Sequence, residues 1–176
     1  MMQPGGAVFQ DVPDEIDDRW THGVLVGGMA SASDDVELAR AYARAASHLI
    51  EPALESKEAW RFSYPIFYLY RHALEIYLKA ALRAKQGHDL RPLIEAFDKE
   101  LRAKAKRPLP PQLKRDLLLF AVIDPDSQGF RYTYKFTSKT DWKPQFLGGE
   151  YWVPLRDLQE FMEKVFRLIE AVIHRR

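Results

Sequence analysis

Residues 64–90 read YPIFYLYRHALEIYLKAALRAKQGHDL, and the fold turns on this stretch. Ile66, Phe67, Leu69, Tyr70, Ala73, Leu74, Tyr77, Leu78, Ala81 and Leu82 fill most of a helical circumference, which predicts a helix buried nearly all round. Pro65 is expected in its first turn, where a missing N–H has no helical partner. Gln86-Gly87 is expected to stop it after Lys85, with Gly87 as a left-handed cap. The polar exceptions are Tyr68, Arg71, His72, Glu75, Lys79 and Arg83. At about 100° per residue they share an arc of roughly 120°. Such a wedge either faces water or meets groups that satisfy it.

Helical periods continue on both sides. Ser33 or Asp34 is a candidate N-cap for a helix carrying Val36, Ala39, Tyr42, Ala43, Ala46 and Ile50, which Pro52 ends or kinks. A third helix starts at His88 or Asp89 and runs to about Lys104, with Leu90, Leu93, Ile94, Phe97 and Leu101 inward. Pro108, Pro110 and Pro111 separate it from a fourth, Gln112 to Val122, whose Lys114-Arg115-Asp116 reads as solvated surface. The last helix runs from Leu155 to about His174. Residues 1–30 show no period and read as a lead-in to a single domain over 31–176.

Before the last helix the period changes. In Phe130-Arg131-Tyr132-Thr133-Tyr134-Lys135-Phe136 the aromatics alternate, as in a half-buried strand, with Glu150 to Val153 as its expected partner. The fold class is therefore all-α, a bundle of four to five helices with a short β-hairpin or extended aromatic insertion. The same aromatics interleave with cations, which suits a platform for single-stranded nucleic acid and equally a strand with one row in the core. The turn before them is placed to bring Arg131 back over the polar wedge.

Composition narrows the function. With no cysteine, disulfides and thiolate metal sites are excluded, and a reducing cytoplasm is expected. A net charge of +1 argues against a globally basic nucleic-acid binder, so any basic surface is local. Charges interrupt every apolar run short of a membrane span, and no basic region precedes the short Val24–Val26 run as in a secretory signal. His72 and Glu75 stand three apart, but no second ligand pair follows at recognisable spacing, so neither metal nor cofactor is expected.

Tyr70-Arg71-His72-Ala73-Leu74-Glu75, then Leu78-Lys79-Ala80 and Gly87-His88-Asp89-Leu90, resembles the HEPN superfamily (higher eukaryotes and prokaryotes nucleotide-binding). The resemblance implies a small helical bundle, usually dimeric. It also implies a role in prokaryotic defence or toxin–antitoxin systems, either as a metal-independent endoribonuclease or as a non-catalytic partner of an antitoxin or nucleotidyltransferase. The ribonuclease members carry Arg, four to six residues, then His. Arg83 to His88 fits that spacing, and so does Arg167 to His174, of which the first adjoins the wedge.

Ribonuclease chemistry without metal needs a proton acceptor, a phosphate-holding cation and an acid for the leaving oxygen. Histidine suits the proton steps and arginine the phosphate. His88 or His72 is the acid–base candidate with Arg83. Arg71, Glu75, Lys79, Arg131 and Tyr132 are the candidates for holding RNA. The competing readings are a non-catalytic dimerisation or interaction module, in which the wedge is a satisfied interface, and a bundle that binds nucleotides or other anions.

Overall fold

The computed structural model describes residues 14–15, 21, 34–85, 87–125, 127–132, 134–138, 141–144 and 150–174. The chain divides into two compact units, residues 1–33 and 34–176. In the first, Asp14 and Glu15 form an exposed bend and Thr21 is exposed. The expected packing of Trp20 and Val24–Val26 lies outside the described residues.

The second unit is helical. Among the described residues it has five helices: α1 (Asp35–Glu55), α2 (Trp60–Leu82), α3 (Leu90–Ala105), α4 (Pro111–Ile123) and α5 (Leu155–Ile173). The central element is α2, which packs on α1, α3 and α5, while α4 packs on α3. The buried face of α1 is Ala39, Ala46, Ile50 and Ala53, and its alanines let the helix approach the bulky Tyr70, Leu74 and Tyr77 of α2. Met162, Val165 and Ile169 of α5, Ile94 and Phe97 of α3 and Leu117 of α4 close the core. Each such side chain contributes about 1.5–3 kcal/mol by leaving water. None of the described helices is long and apolar enough to cross a membrane.

Local chemistry sets the helix ends. Asp34 caps α1 by accepting the Glu37 N–H at 2.8 Å, and Asp89 caps α3 by accepting the Arg91 N–H at 2.9 Å. Three expectations are corrected here. Pro52 does not end α1, which runs on to Glu55. Pro65 is the sixth residue of α2 rather than a first-turn proline, because Trp60 to Tyr64 already hold helical geometry ahead of it. The third concerns the stop of α2, which comes at Leu82. Arg83 takes the left-handed cap at φ 55°, and Ala84 N–H donates to the Lys79 carbonyl at 3.0 Å. Gly87 is also left-handed, at φ 86°, but in the loop that follows.

The aromatic segment pairs differently from the expected register. Tyr134–Ser138 (β1) is antiparallel to Asp141–Pro144 (β2), with Phe136 opposite Trp142. Glu150 to Val153 is therefore not the partner strand, and Phe130 and Arg131 lie in a turn ahead of β1. Phe130 is drawn off the alternation by packing: it is buried and stacks on Phe67 of α2 at 5.2 Å.

Candidate functional site

The wedge of α2 divides by depth. Arg71 is 0% exposed and Glu75 2%, so neither faces water. Two ionised groups at that depth persist only if each is paired and hydrogen-bonded. The Arg71 guanidinium donates from Nη1 to Glu75 Oε2 at 3.1 Å, from Nη2 to the His88 carbonyl at 2.8 Å and from Nε to the Asp124 carbonyl at 3.1 Å. The Asp124 carboxylate Oδ2 lies 3.0 Å from the same Nε. Because that N–H is spent on the carbonyl, Oδ2 is an ion contact without a hydrogen bond, and it is buried with no donor. Arg71 thus clamps α2, the α2–α3 loop and the end of α4.

Glu75 works in both directions. Its Oε2 holds Arg71, while Oε1 accepts Lys79 Nζ at 2.7 Å and meets His88 Nδ1 at 2.9 Å. Burial raises its pKa, but the hydrogen bonds from Lys79 and His88 outweigh this and hold it below the ordinary carboxylate value. An ionised carboxylate only accepts, so His88 Nδ1 carries a proton, and in the neutral ring the lone pair is then on Nε2. The His88 side chain is 72% exposed. A buried carboxylate therefore orients an imidazole whose other nitrogen is open to solvent.

The remaining wedge residues lie around this pair. His72 is half-buried, edge-on to Tyr42 at 4.5 Å and stacked on Tyr68 at 5.7 Å. Burial lowers its pKa, and the charges of Arg71, Lys79 and Arg131 act in the same sense against Glu75. Arg131 belongs to the turn after α4. Its guanidinium lies 5.9 Å from the Tyr68 ring and 5.2 Å from the Tyr132 ring, and its Nε donates to the Ser127 carbonyl at 2.6 Å. Arg131 and Tyr132 are exposed, as is Arg83 at the α2 cap.

The structure thus brings His88, Glu75, Lys79 and Arg71 into one network and sets Arg131 near the rings of both Tyr68 and Tyr132. Arg71 is fully buried and holds other residues through three of its N–H groups. Asp124 escaped the sequence reading: no period marks a polar contact made across 53 residues. Asp98 was likewise missed. It accepts from the Leu109 N–H at 2.8 Å and from Lys114 Nζ at 2.7 Å, so Lys114 is not simply solvated surface. The second Arg–His pair lies apart: His174 Nδ1 sits 2.7 Å from the Glu170 carbonyl. Arg167 lines a groove of about 220 Å³ with Arg40, Tyr70, Tyr77 and Glu170.

Among the described residues, no group of His, Asp and Glu is arranged to hold a metal ion. Comparison with protein families, with curated proteins and with solved structures finds no match to this chain.

Proposed function

We propose that this chain is a HEPN-like helical protein that acts on RNA as a metal-independent endoribonuclease, a defence or toxin–antitoxin component working as a homodimer. The observation that carries the reading is the 2.9 Å contact between the buried Glu75 carboxylate and Nδ1 of an otherwise exposed His88. His88 Nε2 takes the proton of an RNA 2′-OH. The 2′ oxygen attacks the adjacent phosphorus, and the bond to the 5′ oxygen breaks to leave a 2′,3′-cyclic phosphate. That leaving oxygen requires a proton from the opposite side of the phosphorus. A two-fold dimer supplies it from the protonated His88 of the second copy. Arg83, Lys79 and Arg131 are the cations for the phosphate, and Tyr132 offers a ring for a base. His72, enclosed by Tyr42 and Tyr68, is assigned to the wall of the site rather than to proton transfer.

The test is cleavage of labelled single-stranded RNA and tRNA in EDTA by wild type, His88→Ala and Arg83→Ala. Loss of cleavage in both variants, with melting temperatures retained, supports the reading; no cleavage by wild type at high enzyme excess contradicts it. A second reading is favoured by Arg71, whose contacts bind three segments of the fold together. In it the same network stabilises a non-catalytic HEPN-like dimerisation module or a nucleotide-binding bundle, and RNA is not cleaved.

A further inference from the structure

Asp124 is buried at the end of α4 and touches both halves of the candidate site. On one side its carbonyl and Oδ2 hold Arg71 Nε, and Arg71 in turn holds the His88 carbonyl and the carboxylate that orients the His88 ring. On the other side its Oδ1 accepts the Gly129 N–H at 2.7 Å. That bond closes a turn in which Ser127 is left-handed at φ 62° and buried. The Ser127 carbonyl receives Arg131 Nε, and the Gln128 carbonyl accepts the backbone N–H groups of Arg131 and Tyr132, both at 3.0 Å. We propose that Asp124 is a positioning residue that orders the His88 loop and the Arg131 turn as one unit. The part of this that concerns catalysis rests on the ribonuclease reading above.

The two oxygens of its carboxylate separate this role from simple bracing. An asparagine keeps an acceptor for Gly129, so the turn survives, but it removes the charge that Arg71 faces at Oδ2. Arg71 then has Glu75 as its one carboxylate partner, and its hold on Glu75, and through Glu75 on the direction of the His88 ring, is altered.

The experiment is the tautomer of the His88 ring, read from its ring nitrogens by NMR, in folded wild type, Asp124→Asn and Asp98→Asn. Asp98 is the control because it is another buried carboxylate that accepts a backbone N–H and a lysine, away from His88. The expected result is a loss of the preference for the Nδ1-protonated neutral ring in Asp124→Asn and an unchanged preference in Asp98→Asn. A lowered melting temperature with an unchanged His88 tautomer makes Asp124 a brace only and overturns the proposal. Hydrogen exchange of wild type gives a second reading should Asp124→Asn not fold. The Gly129 and Arg91 amides, which report the turn and the His88 loop, should open with the same free energy, and separate openings overturn the proposal. Neither measurement needs RNA. Failure to cleave sinks the ribonuclease reading and leaves this one, whereas an unchanged tautomer in an active enzyme sinks this one alone.

Discussion

Arg71 reaches His88 through the backbone rather than the ring: its Nη2 donates to the His88 carbonyl at 2.8 Å, while the imidazole turns to Glu75 at 2.9 Å. Because Arg71 also holds Glu75, one buried guanidinium fixes both where the His88 residue sits and which way its ring points. The exposed part of the site is therefore carried by groups that no ligand in bulk water needs to touch.

Removing that guanidinium should be costly. Arg71→Ala leaves Asp124 buried without the cation it faces and Glu75 with Lys79 and His88 only, and is expected to lose about 3–5 kcal/mol in urea unfolding. A loss below about 1 kcal/mol would mean that water reaches these carboxylates and that the network is not the brace described.

Acid should release the fold through its buried carboxylates. Burial raises the Asp98 pKa, but Lys114, the Leu109 N–H and Arg102 prevail and bring it down to about 2 from an ordinary 3.8. A carboxylate lowered in the folded state stabilises above its unfolded pKa and loses that contribution as pH falls through the folded value. Asp98 should thus contribute about 2 kcal/mol that disappears between about pH 4 and pH 2. Denaturation of Asp98→Asn across this range should show a flatter dependence on pH; a slope equal to that of wild type would contradict the assignment.

In the groove lined by Arg40 and Arg167, Tyr77 donates to Glu170 Oε1 at 2.6 Å and Arg40 donates to the same oxygen at 2.8 Å. Tyr77→Phe should cost about 1.5–3 kcal/mol, the range for a hydrogen bond to a charged acceptor, without changing any action on RNA. A variant that keeps its stability and loses activity would move the functional site to this groove.

Arg131 offers a contrasting test at the surface. Arg131→Gln should leave the unfolding free energy within about 0.5 kcal/mol of wild type and weaken binding of single-stranded RNA. The slope of log affinity against log salt should become shallower by about 0.7–1, as expected for one lost phosphate contact. An unchanged slope would show that Arg131 does not touch the backbone of the RNA.

How far this could be read from the chain depends on the range of the interactions concerned. The apolar circumference of residues 66–82 implies a central buried helix because burial repeats with the helical period, and α2 is that helix. Glu75 and His88 stand close enough in sequence for a helix and a short loop to bring them together. The depth of Arg71 was not legible, because a polar residue on a helix looks the same whether its partner is water or Asp124. The pairing of β1 with β2 was obscured for a related reason. Alternating aromatics mark extended chain without naming a partner, and Phe130 left the alternation to pack on Phe67.

The most direct measurement is the tautomer of His88 in neutral solution, read from its ring nitrogens by NMR. A carboxylate-held imidazole predicts the proton on Nδ1 and a free Nε2, with Glu75→Gln removing that preference. A neutral ring protonated on Nε2 would contradict it, because His88 would then have no lone pair facing solvent with which to take a proton.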